Sequence, residues 1–306
     1  MTIQNISLIG MGALGILFGN FLTEKLGHDR VSFIADEERI KRYETQGVYC
    51  NGQKCDFHFT DKERTDTTAD LLIFAVKANS LSSAVASAQN YVGENTIIIS
   101  LLNGITSESI IGETFGMKHM LYSVAQGMDA VKLENNLTYT QMGEICIGIP
   151  ENEPDKQPKL RAVTDLFDST GLPYIYEDDI IHRLWSKWML NVGVNQVVMV
   201  EQGTYADVQK EGTARETMKA AMREVIALAE YEDIPVTEED LVYYVNMIDS
   251  INPNGMPSMR QDGISKKYSE VELFSGTVIR EAEKYNLDVP VNQRLYREIK
   301  ELESSY

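Results

Sequence analysis

Gly10, Gly12 and Gly15 stand in the stretch "SLIGMGALG", between a short apolar run and the helix-forming run "ALGILFGNFLTEKLG". A strand that must turn into a helix over so few residues constrains this chain's fold more than any other feature. The first glycine permits the tight turn, and the second lets backbone amides come close to a pyrophosphate. The third lets the helix pack against the strand, while the helix N-terminus offers its dipole to the anion. Glycines of convenience in an ordinary turn are the competing explanation. The strand before them and the helix after them are the context that the dinucleotide reading requires.

The first half of the chain continues the alternation. "RVSFIAD" reads as a second strand and "EERIKRYETQG" as a charged helix. "YCNGQKCDFHF" reads as a hairpin about Asn51–Gly52. "DLLIFAVK" and "NTIIISLLNG" are short apolar runs expected of buried parallel strands. "KLRAVTDLFDSTG" reads as a helix and "LPYIYEDD" as a last strand, after which the pattern is helical. "DIIHRLWSKWMLNVGVNQVVMVE" is apolar around most of its circumference and is expected at the centre of a helical domain. "TARETMKAAMREVIALAEYE", "SEVELFSGTVIREAEKYN" and "NQRLYREIKELESSY" read as further helices. The expected class is α/β, with a Rossmann-type doubly wound sheet domain over residues 1–177 and an all-helical domain over 178–306.

At 306 residues with 43% hydrophobic and 24% charged residues, the chain has the makeup of an ordinary globular protein of about two domains. A net charge of −18 argues against a nucleic-acid partner, since phosphate recognition needs a basic face. No apolar run is long enough for a bilayer, and the opening residues read as a strand rather than a signal peptide. Cys50, Cys55 and Cys146 are odd in number and lack CxxC spacing, so the expected setting is a reducing cytoplasm without disulfides or zinc. His28, His58, His119 and His182 are scattered without an HExxH pair, so no metal is expected.

Several polar residues fall where an open sheet of this kind binds ligands. Asp36 closes the second strand, where an acid accepts from the ribose 2′-hydroxyl of NAD. Arg39, Lys41 and Arg42 follow it and offer charge to a 2′-phosphate instead, so the residues alone leave both dinucleotides open. Lys77 and Asn103 each follow an apolar strand, placing them at successive carboxyl ends. Within "SKWMLNVGVNQ", Lys187, Asn191 and Asn195 are spaced i, i+4 and i+8, which lines them up on one helix face. Buried structural amides and a lysine with a packed stem are the alternative for each of them singly. Their alignment in so apolar a helix favours a ligand site, expected in a cleft between the two domains.

With the glycine turn, "AVKA", "LLNG", "KWMLNVGVN" and "PSMRQDGISKKYSEVELFSG" taken together, the chain resembles the ketopantoate reductases (2-dehydropantoate 2-reductases) over nearly its whole length. That family holds NADPH-dependent enzymes that reduce ketopantoate to pantoate in pantothenate biosynthesis. The resemblance implies that Lys187 is the catalytic general acid and that Asn191 and Asn195 meet the substrate. It further implies that Asn103 lies near the reacting centre, that Ser258 binds the substrate's carboxylate end, and that Glu270 contacts its hydroxyl and the lysine. Capping for Ser258 and a solvated helix-start acid for Glu270 are the structural alternatives. Family members often carry arginine where Asp36 stands, so NADH is an alternative cofactor here. Some carry asparagine where this chain has Gly255.

The chemistry asks for such residues. Reduction of a 2-keto acid develops negative charge on the carbonyl oxygen, which an ammonium group can polarise and then protonate. Burial beside Trp185 and Trp188 would lower the Lys187 pKa, and Glu270 would oppose that shift. Two carboxamides supply donors and acceptors for keto, hydroxyl and carboxylate groups. A reductase of another 2-keto acid is the second reading. A dinucleotide sensor without turnover is the third, and it leaves the lysine–asparagine stripe unexplained. The helical domain is expected to bury its apolar faces within one chain or against a second copy in a homodimer.

Overall fold

The structure is a computed structural model that describes residues 2–64 and 68–306. The chain divides into two compact units, residues 1–102 with 106–180, and residues 103–105 with 181–306. In the first unit the strands are β1 (Ile6–Ile9), β2 (Val31–Ala35), β3 (Tyr49–Cys50), β4 (Gln53–Lys54), β5 (His58–Asp61), β6 (Leu71–Phe74) and β7 (Ile97–Ser100). They are followed by β8 (Tyr122–Gln126), β9 (Val131–Leu133), β10 (Asn136–Thr138), β11 (Glu144–Gly148) and β12 (Tyr174–Tyr176). Helices α1 (Ala13–Leu26), α2 (Glu37–Gln46), α3 (Leu81–Ala88), α4 (Ser107–Phe115) and α5 (Gln157–Thr170) fill the connections.

The main sheet runs β5-β2-β1-β6-β7 with every neighbouring pair parallel. From β1 the chain builds outward through β2 to β5, then returns to β6 and β7 on the other side. The carboxyl ends of β1 and β6 therefore frame the point where strand order reverses, which is where such sheets take ligands. Successive strand residues feed opposite faces. Ile6, Leu8, Leu71, Ile73, Ile97 and Ile99 join the core under α1 and α5. Ile9, Leu72, Phe74 and Ile98 join a second core against α3 and α4. Burial of both faces explains why these strands read as continuous apolar runs.

One expectation is corrected. The hairpin spans only β3 and β4, turning through Asn51 and Gly52 with φ of 48° and 79°. His58–Asp61 leaves it and adds to the main sheet as a parallel edge strand, with Phe59 opposite Phe33. An aromatic cluster draws it there: the Phe33 ring lies 4.3 Å from that of Phe57, and Tyr43 stacks on Phe59 at 5.5 Å.

Glu108 in the first turn of α4 is 2% exposed. Its Oε2 accepts from the Ser107 hydroxyl at 3.0 Å, and its Oε1 has no partner among the described residues. Burial pushes its pKa up to about 7. Between the ordinary carboxyl value and that figure the folded chain binds the extra proton, so stability falls as pH rises through the interval. Above it the deficit levels off at about 3 kcal/mol. Glu108→Gln is therefore expected to raise Tm near pH 8 and to change it little near pH 5. Thermal melts at both values check this; equal shifts at the two would contradict it.

The second unit contains α6 (Ile180–Val200), α7 (Tyr205–Gln209), α8 (Thr213–Tyr231), α9 (Glu238–Ser250), α10 (Ser258–Ile264), α11 (Ser275–Glu283) and α12 (Pro290–Glu303). Helix α6 is its axis, buried at every position from 191 to 199. Gly193 lets it approach α8, because a Cβ there would lie 2.6 Å from Met222 Cγ and 3.0 Å from the Met218 carbonyl oxygen. Thr204 with Asp207 and Thr237 with Asp240 close capping boxes at the starts of α7 and α9. The helix expected from residue 269 begins only at Ser275, because residues 271–274 form a turn. No helix among the described residues is long and apolar enough to cross a membrane.

Candidate active site

In the first unit the glycine turn has separable parts. Gly10 has φ +115°, and a Cβ there would lie 2.4 Å from the Ala75 carbonyl oxygen. At Gly15 a Cβ would lie 2.0 Å from the Gly10 carbonyl oxygen. Both are required by the protein's own packing of α1 on β1 and β6. Gly12 differs: its φ is −77°, and its Cβ would meet only the Ala75 oxygen, at 3.4 Å. It is also the N-cap of α1, with no side-chain cap and no acidic residue in the first helical turn. Uncapped amides with an open Cβ position suit close approach of a pyrophosphate, so these residues fit a dinucleotide.

Asp36 is the N-cap of α2, where its Oδ1 accepts from the Arg39 backbone N–H at 2.8 Å. Its Oδ2 lies 3.4 Å from Arg39 Nε. The carboxylate is thus pinned at the end of β2, and the guanidinium next to it is already paired. Lys41 pairs with Glu37 at 2.7 Å. Lys77 is exposed at the N-cap of a short 3-10 turn that follows β6.

In the second unit Asn103, Lys187 and Glu270 come together. Asn103 Nδ2 donates to Glu270 Oε2 at 3.0 Å. Lys187 Nζ donates to Asn103 Oδ1 at 3.5 Å, the outer limit of a hydrogen bond. One amide therefore links lysine and carboxylate across 84 and 167 residues of sequence. Its turn depends on Gly104, whose φ is +90°. Glu270 is half-buried in the turn before α11, not a solvated acid opening a helix.

Asn191 and Asn195 extend the stripe along α6, 9% and 7% exposed. Neither carboxamide has a hydrogen-bond partner among the described residues. Gln196 shows the contrast. Its Nε2 donates to the Val192 carbonyl at 2.7 Å and its Oε1 accepts from Ser275 N at 3.1 Å. Asn292 is likewise engaged, donating to the Ala221 carbonyl and to Glu224. Buried polar groups are ordinarily hydrogen-bonded. The two amides left open are the ones aligned with Lys187.

Ser258 is exposed at the first position of α10; Pro257 is the N-cap, and no side chain caps that helix. Gly255 is packed tightly, since a Cβ would lie 3.1 Å from the Tyr205 ring and from the Asn252 carbonyl oxygen. An asparagine side chain at that position would displace Tyr205. From the sequence alone Trp188 reads only as part of an apolar wall beside Lys187. Its Nε1 in fact donates to the Leu273 carbonyl at 2.8 Å, tying α6 to the turn that carries Glu270. A buried indole whose N–H needs an acceptor was the available signal.

The profile described as Ketopantoate reductase PanE/ApbA matches residues 6–152, and its C-terminal counterpart matches residues 179–303. The chain belongs to the ketopantoate reductase family. As a member of it, the protein is an oxidoreductase that works with a nicotinamide dinucleotide. It is 24% identical to the 2-dehydropantoate 2-reductase of Aquifex aeolicus over 299 residues, covering 96% of this chain and 95% of the relative. A solved D-mandelate dehydrogenase with NADH and anilino(oxo)acetate shares the ketopantoate reductase fold seen here, at TM-score 0.86 and 22% identity. That match covers 98% of this chain and 99% of that one. The dimeric ketopantoate reductase of Staphylococcus aureus matches at TM-score 0.81 and 19% identity, with 98% and 99% coverage.

Proposed function

We propose that this chain reduces ketopantoate to pantoate, with Lys187 as general acid and NADH as the preferred hydride donor. The observation that carries the catalytic part is the pair of carboxamides in line with Lys187 that no group among the described residues engages. The nicotinamide, when bound, supplies the hydride that reaches the keto carbon. Lys187 Nζ donates a hydrogen bond to the keto oxygen and then gives up its proton to the nascent alkoxide. Asn103 holds the ammonium through Oδ1, and Glu270 holds Asn103 through Nδ2. Glu270 also accepts from the substrate hydroxyl. Asn191 and Asn195 orient the keto acid with donors and acceptors that nothing else among the described residues engages. Ser258 binds the carboxylate end. Gly10, Gly12 and Gly15 carry the pyrophosphate, with Lys77 and Asn103 beside the cofactor. By analogy with the dimeric Staphylococcus aureus enzyme, a homodimer is the proposed assembly.

The choice of NADH rests on Asp36. Its carboxylate cannot swing away without giving up the α2 cap, worth about 0.5–2 kcal/mol. A dianionic 2′-phosphate placed about 4 Å away meets a repulsion of roughly 2 kcal/mol even at the dielectric of water. The ribose 2′-hydroxyl of NADH instead finds an acceptor there. Arg39, the nearest candidate to hold a phosphate, is paired with that same carboxylate. The D-mandelate dehydrogenase with the same fold was solved with NADH. Asp36→Ser keeps a capping oxygen and removes the charge. It is expected to shift the ratio of NADPH to NADH dissociation constants toward NADPH by about tenfold or more, equal to ~1.4 kcal/mol. Fluorescence titration with each dinucleotide measures the ratio, and an unchanged ratio overturns the assignment.

A second substrate reading has its own support. Gly255 is tightly packed at the position where the resemblance puts asparagine in some family members, and a neighbour of the same fold is a mandelate dehydrogenase. Initial rates with ketopantoate, shorter branched 2-keto acids and an aryl 2-keto acid decide between them. The highest kcat/KM on ketopantoate supports the first reading, and an aryl preference supports the second.

A further inference from the structure

His28, Asp29 and His58 lie at the amino edge of the parallel sheet, away from the glycine turn. His28 and Asp29 begin the 3-10 turn that leads into β2, and His58 opens β5, the edge strand paired with β2. One potential ligand atom from each of the three lies within 4.8 Å of the others. His28 Nε2 is 2.9 Å from Asp29 Oδ1, and its Nδ1 is 3.3 Å from Asp56 Oδ2. A carboxylate on one ring nitrogen fixes the imidazole while the other nitrogen is offered to a cation, which is how ligating histidines are usually held. Asp29 and His58 also line a cavity of about 170 Å³, so water can reach the remaining coordination positions.

From this juxtaposition we infer that His28 Nε2, a carboxylate oxygen of Asp29 and a ring nitrogen of His58 form a site for a divalent transition metal of the zinc type, with Asp56 orienting His28. Two imidazoles and a carboxylate suit Zn²⁺, which binds nitrogen and oxygen at about 2.0–2.2 Å and completes a tetrahedron with water. Imidazole ligands disfavour Mg²⁺ and Ca²⁺, which take oxygen. Tetrahedral ligands sit about 3.4 Å apart at those bond lengths, so His28 Nε2 and the Asp29 oxygen, 2.9 Å apart, part slightly while the wider separations, at most 4.8 Å, close. The side chains of His28 and Asp29 are 49% and 91% exposed and can rotate at little cost. Occupancy ties the edge strand to its neighbour and adds stability by mass action, without a part in hydride transfer.

The alternative is a histidine that merely pairs with two acids. The full chain, without a polyhistidine tag and dialysed against chelator, separates the two. Zn²⁺ titrated by calorimetry should fill one saturable site and raise Tm, and Co²⁺ should give the visible bands of tetrahedral coordination. His28→Ala and His58→Ala should each abolish the site and the Tm rise. Asp56→Asn should weaken binding roughly 10–100-fold. His182→Ala, whose ring pairs with Asp240 at 2.9 Å in the second unit, should leave binding intact. Metal-free melts identify folded variants, and if one histidine variant fails to fold the other decides. Turnover with dinucleotide should be the same with and without Zn²⁺, which keeps this test apart from the reductase reading. Absence of saturable binding, or binding that survives loss of either histidine, overturns the site.

Discussion

Lys187→Ala is expected to lower kcat by about 10²–10⁴-fold, the usual contribution of a positioned general acid. Its dinucleotide Kd should stay at the wild-type value, because the glycine turn and Asp36 lie on other elements. Lys187→Arg should fail to restore the rate. A guanidinium keeps the positive charge but does not release a proton in the accessible pH range, and its planar fork does not match the position of an ammonium. Charge alone and proton donation are thereby separated. Steady-state kinetics beside dinucleotide titration reads both quantities, and wild-type turnover in the alanine variant would remove the lysine from the mechanism.

The second large effect is a contrast between two glycines of the same turn. Gly15→Ala should destabilise the protein by on the order of 3 kcal/mol, since the new methyl meets a backbone oxygen that no rotamer change can move. The clash is severe, 2.0 Å to the Gly10 carbonyl oxygen. Gly12→Ala should keep the fold within about 1 kcal/mol, because its backbone angles are ordinary and alanine is only a poor N-cap. The nearest obstacle to its methyl is 3.4 Å away. On the proposed reading the same methyl stands where a pyrophosphate would approach the α1 amides, so the dinucleotide Kd should rise about tenfold or more, ~1.4 kcal/mol. Melting curves and titrations on the two variants give four values. Tight binding by Gly12→Ala would show that the ligand does not approach that amide.

What could be read ahead of the coordinates follows the range of the interactions concerned. The glycine turn and the α6 stripe were legible because each is local: a strand-to-helix reversal in one case, a helical repeat in the other. The Asn51–Gly52 turn was legible for the same reason. The fate of the next segment was not, since His58–Asp61 is drawn to β2 by aromatic packing against Phe33 and Tyr43. Asn103 could be placed at a strand end, but its bridge between Lys187 and Glu270 joins residues far apart in sequence. Likewise, no pattern distinguishes Gln196, fully engaged inside the helical unit, from Asn195 beside it, which is not. The histidines looked scattered for a related reason. His28 and His58 are neighbours only because β5 lies next to β2.

Asn103, Gly104 and Ile105 belong with the helical residues although the chain on both sides of them builds the sheet unit. A gene fragment encoding 181–306 would therefore lack the amide that steadies the lysine, however well it folded. Swapping helical halves between related enzymes carries the same hazard, because three residues that belong with the donor's helical unit stay behind in the donor's first half. Chimeras built for new specificity should transplant that tripeptide together with everything after residue 180.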